Sequence, residues 1–200
     1  MTEPDDDARR AAAFAAFDQA NAADPRSVAT DGGTVPYELL YARRMSEELD
    51  RFAPDAPDAL RLAARAQHLE RWRSPRENYP MDREGYLRWR TDLKAFHATR
   101  AREILEAVGY PEELIQRVAF LLEKKRLKRD EDTQTLEDVI CIVFLKYYAA
   151  EFAAEHPHEK VIDILQKTLR KMSERGRAAA LAAGPPAAVR ELVLEAAQSA

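Results

Sequence analysis

The sequence has little of what disulfide-rich, secreted and membrane-spanning proteins need. It holds one cysteine, Cys141, inside an apolar run, so an intramolecular disulfide is excluded and we expect a buried thiol in a reducing compartment. The start, MTEPDDDARR, is acidic where a secretory signal is basic and then apolar. The longest purely apolar run, 139–145, is far shorter than the roughly 20 residues of a membrane helix. We therefore expect a soluble, cytoplasmic protein with no membrane partner.

Glycine is also scarce, with six residues, and strand patterns are nearly absent. Ala, Leu, Glu and Arg, which lose little rotamer freedom in a helix, are abundant. The sequence therefore predicts an all-α protein with about seven helices in one compact domain. We expect an acidic flexible tail over 1–7, a helical domain over 8–182 and a C-terminal helix over 183–200. The main predicted helices span 8–22, 36–52, 58–72, 82–108, 111–125, 135–152 and 157–176.

A basic centre lies inside this acidic chain. Between Arg61 and Arg102 there are eleven Lys or Arg against five Asp or Glu, whereas the whole chain has 31 against 35. The same segment contains both tryptophans. This contrast predicts a binding site for an anionic compound.

Arginine and aromatic side chains are the first candidate site. Guanidinium groups bind phosphate or carboxylate in bidentate fashion, and aromatic faces stack on bases. A nucleotide, another phosphorylated metabolite or single-stranded RNA would fit. The predicted ligand-binding residues are Arg65, Arg71, Trp72, Arg76, Tyr79, Arg90, Lys124 and Lys125. Two alternatives remain: the arginines pair with nearby acids (Glu70, Glu77, Asp82, Glu84 and Asp92), and the lysines complement a helix dipole.

Two histidines and an aspartate are the second candidate site. His68 and His97 fall on predicted core-bordering helix faces, and Asp138 enters the most apolar helix. Two imidazoles and a carboxylate can hold a divalent metal and activate water. We therefore predict His68, His97 and Asp138 as metal ligands and catalytic residues. Alternatively, His68 contacts its helical neighbours, His97 is a satisfied core histidine, and Asp138 completes a capping box with Thr135.

Three segments, AARAQHLERW, HATRAREILEAVGYPEELIQRVAFLLEKK and LEDVICIVFL, resemble in order the helices of HD-domain metal-dependent phosphohydrolases. The resemblance implies an HD-like fold with metal held by His68, His97 and Asp138. Leu69 stands where that family's His-Asp pair has its Asp, and the first helix, YELLYARRMSEEL, has no His. These departures argue against a complete two-metal site and leave one divalent metal or none.

A second resemblance covers residues 17–181. The segments YARRM, QHLERW, PRENYPMDREGYLRWR, FH, LEDVICIVFL and ILQKTLRKMSERG are similar to those of an uncharacterised helical family of bacteria and fungi. Some of its members carry a glutamyl-tRNA synthetase label, which Lys171–Ser173 matches locally. Such an enzyme needs a nucleotide-binding parallel sheet, and this sequence lacks alternating strands and helices. We therefore reject the label and expect Lys171–Arg175 to end a helix.

Together these patterns predict an HD-like helical domain that binds an anionic, phosphorylated small molecule near His68, His97 and Asp138. If the protein is an enzyme, the expected reaction is hydrolysis of a phosphate ester, with phosphate held by Arg65, Arg71 and Arg76. The alternative is a non-catalytic RNA- or protein-binding module, and a third class is a purely structural protein. A net charge of -4 argues against nonspecific nucleic-acid binding.

Overall fold

The computed structural model describes residues 6–198, and within them the chain is mainly helical. One hairpin and two short 3-10 turns, Arg71–Arg73 and Arg76–Asn78, interrupt the helices. The helices are α1 (Asp6–Asn21), α2 (Tyr37–Phe52), α3 (Asp58–Arg65), α4 (Arg83–Val108), α5 (Glu112–Leu122), α6 (Glu131–Tyr147), α7 (Ala149–Glu155), α8 (His158–Lys171), α9 (Glu174–Ala182) and α10 (Ala187–Gln198). The predicted helical class is confirmed in its coarser form, mainly α, whereas the described residues form ten α-helices rather than about seven and also include two strands. Across this described range, no helix combines the length and apolar character needed to cross a bilayer.

The hairpin is an element that the sequence prediction missed. Strand β1 (Ser27–Thr30) pairs antiparallel with β2 (Gly33–Pro36), and Thr30 lies opposite Gly33. A two-residue Asp-Gly loop between short runs that contain Val and Thr favours such a hairpin. Strand patterns are nearly absent from the sequence, which therefore predicted no strand here.

Contacts divide the chain into two compact units, of which the first contains the chain up to Glu47 together with Asp55–Lys125. In this unit α4 packs on α5 and α1, and α3 packs on α5 and α1. Burying the apolar faces of these helices stabilises the unit by removing hydrocarbon from water. Its fully buried side chains include Phe17, Met45, Leu60, Leu62, Leu69, Leu105, Ile115, Leu121 and Leu122.

The second unit contains Glu48–Pro54 and the chain from Arg126 onward. In this unit α6 packs on α9 and α8, and α8 packs on α10. Helix α6 has more buried residues than any other described helix of this unit, in keeping with its nearly uninterrupted apolar run. Its residue Cys141 is 4% exposed.

Three predicted helices are shorter in the structure than the sequence suggested. The helix expected over 58–72 ends at Arg65, because the chain turns and Glu70 adopts a left-handed φ of 52°. The helix expected over 135–152 is broken at Tyr148, between α6 and α7. The helix expected over 157–176 is broken before Ser173, which caps α9. Hydrophobic periodicity continues across such short breaks and therefore does not reveal them.

The predicted terminal boundaries are only partly covered by the structure. Most of the acidic tail expected over 1–7 lies outside the described residues, and α1 begins at Asp6 rather than Ala8. The C-terminal helix expected over 183–200 corresponds to α10, which begins at Ala187. Residues 199 and 200 again lie outside the described range.

Candidate functional site

A turn after α3 positions His68 and the carbonyl of Leu69. Glu70 closes this turn in the left-handed region, which is unfavourable for a residue with a Cβ. The backbone N–H of Glu70 donates to Oδ1 of Asn21 at 2.9 Å. The Glu70 carboxylate forms ion pairs with Arg73 and Arg100. These contacts from α1 and α4 hold the turn in its unusual conformation.

His68 lies between an aromatic ring, a cation and a carboxylate. Its ring stacks on Tyr41, with centroids 3.9 Å apart and planes inclined by 10°. Arg71 Nη1 lies 2.9 Å from Nε2 of His68, and because arginine only donates, Nε2 accepts. The imidazole proton is therefore on Nδ1, 3.3 Å from Oε2 of Glu38. That pair is too poorly aligned for a hydrogen bond. The His68 side chain is 19% exposed, so one edge is accessible.

His97 lies on α4 and is 3% exposed. Its Nδ1 is 2.9 Å from the Leu69 carbonyl, which only accepts, so the proton of the neutral ring is on Nδ1. The other nitrogen, Nε2, is buried and has no hydrogen-bond partner among the described residues. The His68 and His97 ring centroids are 6.1 Å apart. The structure therefore brings the two predicted histidines together.

Glu38 is the site residue that the sequence prediction missed. It lies in the first turn of α2 and is fully buried. One carboxylate oxygen accepts from Arg26 at 2.7 Å, and Arg26 also binds Asp24. Burial raises the pKa of the Glu38 carboxyl, whereas Arg26 acts in the opposite direction. The signal in the sequence was weak, because an acid in the first turn is expected from the helix dipole alone.

Both histidines are neutral at physiological pH. Burial lowers the pKa of His68 well below its usual value, and the positive charges of Arg71, Lys124, Arg26 and Arg90 lower it further. Burial also lowers the pKa of His97 to about 3, with His68 acting in the same direction. The electrostatic potential at His68 is thus dominated by cations. We refer to Glu38, His68, Arg71 and His97 as the His68 cluster.

Arg71 and Arg90 are held by aromatic rings. The guanidinium of Arg71 lies 5.0 Å from the Trp89 ring centroid, and that of Arg90 lies 5.8 Å from the Tyr86 ring centroid. Trp89 is itself fixed, because its Nε1 donates to the Ser74 carbonyl at 2.9 Å. Within residues 6–198 neither arginine has a carboxylate at ion-pair distance. Their charge is therefore not neutralised by a direct ion pair there.

Other predicted ligand residues have structural partners. Arg65 donates through Nε and Nη2 to the two carboxylate oxygens of Asp18, at 2.8 and 2.7 Å. Arg76 donates to three loop carbonyls, those of Tyr79, Pro80 and Asp82. These two arginines therefore fit the structural alternative better than ligand binding.

The remaining predicted ligand residues differ in their surroundings. The Tyr79 hydroxyl donates to Asp92 at 3.1 Å. Lys125 is exposed and paired with Glu123, and Trp72 is half-buried in the turn Arg71–Arg73. Lys124 has a left-handed φ of 56° and contributes positive charge at His68.

Asp138 belongs to the second unit, where it anchors the start of α9. It accepts from the Ser173 backbone N–H at 2.8 Å and from the Ser173 hydroxyl at 2.5 Å. A third bond comes from Gln134 at 3.1 Å. The Ser173 hydroxyl in turn accepts from the Gly176 N–H at 2.9 Å and so caps α9. The capping-box interpretation of Asp138 is wrong, because the cap of α6 is Asp130.

The predicted metal ligands have other partners in this arrangement. Both oxygens of Asp138 accept hydrogen bonds, and Nε2 of His68 accepts from Arg71. Across the described part of the chain, no group of three or more His, Cys, Asp or Glu is arranged to hold a metal. A metal site at His68, His97 and Asp138 stays a prediction.

A family profile matches residues 11–193, a range that includes the His68 cluster and Asp138. The family is described as a domain of unknown function, DUF4202. The chain belongs to this family. No curated protein matches this DUF4202 chain, and no solved structure matches it. The predicted membership in an uncharacterised helical family is confirmed, while the comparisons show neither an HD-domain relationship nor a glutamyl-tRNA synthetase label.

Proposed function

We propose that this DUF4202 protein binds a small phosphorylated anion beside His68, with Arg71 as the principal ligand residue. The main support for the proposal comes from the surroundings of the Arg71 guanidinium. Trp89 and His68 fix its guanidinium, yet no carboxylate among the described residues pairs with it. A planar guanidinium held in one orientation loses little freedom when it binds a phosphate through two parallel hydrogen bonds.

The surrounding charge also supports an anion. Arg26, Arg90 and Lys124 add positive potential at His68, and their effect on its pKa has the same sign as that of Arg71. The buried acid in the cluster, Glu38, is bound to Arg26. A phosphate would meet a net positive field at the exposed edge of His68.

Isothermal titration calorimetry with inorganic phosphate, pyrophosphate and adenosine monophosphate at low ionic strength tests the proposal. We expect Arg71→Ala to weaken binding at least tenfold, because hydrogen bonds to charged groups contribute about 1.5–3 kcal/mol. Arg71→Lys should restore only part of the affinity, because lysine lacks the planar fork. Arg88→Ala is the control, since Arg88 is exposed and has the same charge.

Two results would overturn the proposal. The first is no binding of any of the three anions by the wild-type protein. The second is an equal effect of Arg71→Ala and Arg88→Ala, which would show that only the total charge matters.

Metal-dependent hydrolysis of a phosphate ester is the second candidate function, and His97 is the residue that favours it. Histidines that bind metals almost always donate their other ring N–H, often to a backbone carbonyl. His97 has this arrangement, because Nδ1 faces the Leu69 carbonyl and the buried Nε2 has no described partner.

Elemental analysis of the purified protein tests this second candidate. We expect near-stoichiometric metal in the wild type and loss of metal in folded His97→Gln. Asp138→Asn tests the third predicted ligand, which is hydrogen-bonded to Ser173: loss of metal in the folded variant supports that role, and retention excludes it. Absence of metal after incubation with manganese, zinc or iron would exclude the hydrolase mechanism and leave anion binding to be tested on its own.

A further inference from the structure

A basic loop in the second unit, Arg126–Arg129, has an unusual backbone. Arg126 and Lys128 adopt left-handed φ values of 56° and 70°, whereas Leu127 between them does not. Left-handed conformations are unfavourable for residues with a Cβ, and such strain is concentrated at functional sites. Neither residue is glycine or asparagine, the types that adopt this conformation most readily.

The loop presents a row of backbone donors. The N–H groups of Arg129 and Asp130 both donate to the Arg126 carbonyl, at 2.8 and 3.1 Å, and so close the loop. The three preceding N–H groups, of Arg126, Leu127 and Lys128, have no acceptor within residues 6–198. Alternation between left- and right-handed residues turns successive N–H groups toward one side, which forms an anion-binding concavity called a nest.

Side chains add positive charge to these donors. Arg126, Lys128 and Arg129 are exposed, and no carboxylate in the described residues pairs with them. Lys128 and Arg129 also line a groove of about 570 Å³, together with Arg175. This volume suits a small molecule.

Three acids, Asp130, Glu131 and Asp138, also line the groove. Asp130 binds the Thr133 N–H, and Asp138 binds Ser173. The third acid, Glu131, is exposed at the first turn of α6. The acids Asp130 and Asp138 are therefore already hydrogen-bonded, whereas the basic side chains of the loop have no ion-pair partner among the described residues.

We propose that the basic loop binds the phosphate group of a small phosphate monoester, through the N–H groups of Arg126, Leu127 and Lys128. The side chains of Lys128 and Arg129 provide the counter-charge, and the adjoining groove holds the rest of the molecule. This site uses no residue of the His68 cluster, so it does not depend on the function proposed there.

Amide chemical shifts of the ¹⁵N-labelled protein test the proposal directly. Inorganic phosphate and glucose 6-phosphate are titrated separately at low ionic strength into the Arg71→Ala variant, which removes the other proposed anion site. We expect saturable downfield shifts of the Arg126, Leu127 and Lys128 amides with both probes. If glucose 6-phosphate binds more tightly than inorganic phosphate, the groove contributes to the affinity. Equal affinities would show that the protein contacts only the phosphate group and would overturn the role of the groove. Unchanged positions of these three amides at saturating concentrations of both probes would overturn the proposal.

Two substitutions at Lys128 separate the backbone from the side-chain charge. Lys128→Gly removes the charge but keeps the left-handed φ and the N–H groups. Lys128→Val removes the same charge and disfavours the left-handed φ, because valine is β-branched. We expect a few-fold loss of affinity for Gly and a loss above tenfold for Val, with the remaining amide spectrum unchanged in both. Equal losses would overturn the role of the backbone donors.

Discussion

At the scale of single residues, His97 connects stability to pH. Its pKa is about 3 in the folded protein, against 6.5 for an unperturbed histidine. Between these values the unfolded chain binds the proton and the folded protein does not. The free energy of unfolding therefore decreases as the pH falls from about 6.5 toward 3, by up to about 1.4 kcal/mol per pH unit.

We expect His97→Gln to flatten this dependence, although His68 shifts in the same direction and keeps part of it. Urea denaturation at several pH values between about 4 and 7 measures the effect. The control is His158→Gln, because His158 is exposed on α8 and paired with Glu195. Identical slopes for the wild type and His97→Gln would show that folding does not lower the pKa of His97.

Gly176 gives a second prediction at this scale. A Cβ there would approach the Asp138 carboxylate closer than 3.0 Å, where atoms must shift. Glycine to alanine inside an exposed helix normally stabilises by roughly 1 kcal/mol. In α9 we expect the opposite, a loss of about 1–3 kcal/mol from overpacking. Gly32→Ala is the matched control, because open space surrounds Gly32. Chemical denaturation of both variants measures whether each substitution raises or lowers the free energy of unfolding.

At the scale of elements, the loop before α4 depends on one side chain. Arg76 binds the carbonyls of Tyr79, Pro80 and Asp82, while Gly85 lies against the Pro80 backbone. We expect Arg76→Ala to speed hydrogen exchange in this loop roughly tenfold, because about 1.4 kcal/mol of hydrogen bonding is lost. Arg83→Ala, which removes an exposed arginine nearby, should leave exchange unchanged. Equal exchange in the two variants would show that Arg76 does not hold the loop.

The sequence predicted the position of α4 but not the breaks within other predicted helices. The helix predicted over 82–108 is present as α4, which Asp82 caps and Gly109 ends. The breaks at Glu70 and Ser173 were not predicted, because they depend on partners distant in sequence. Glu70, for example, is held by Asn21 and Arg100.

The candidate site was predictable only in part, for a similar reason. His68 and His97 were selected from helical spacing and do lie together, although His68 is in a turn rather than a helix. Arg71 was among many arginines, and sequence alone gave no means of separating it from Arg65, whose partner Asp18 is on α1. Glu38 was overlooked because burial of an acid depends on the pairing with Arg26.

At the scale of the whole molecule, the acidic net charge favours binding of a small anion over binding of an anionic polymer. The chain carries 35 acidic and 31 basic residues, so a long anion is repelled except at local basic sites. We expect a labelled single-stranded RNA of about 20 nucleotides to bind no more tightly than a mononucleotide at physiological salt, since polymer binding requires several neutralised phosphates. Fluorescence anisotropy at low and moderate salt measures this. Tight RNA binding that weakens steeply with salt would favour the RNA-binding alternative.

Cys141, buried within α6, allows the rate at which the surrounding helices open to be measured by thiol labelling. As the sequence contains a single cysteine, every thiol modified by an alkylating reagent reports on that one position. Reaction requires the surrounding helices to separate first, so at high reagent concentration the rate of labelling equals the rate of opening. The kinetic lifetime of the folded second unit is thereby readable in the unmodified protein, without an engineered probe.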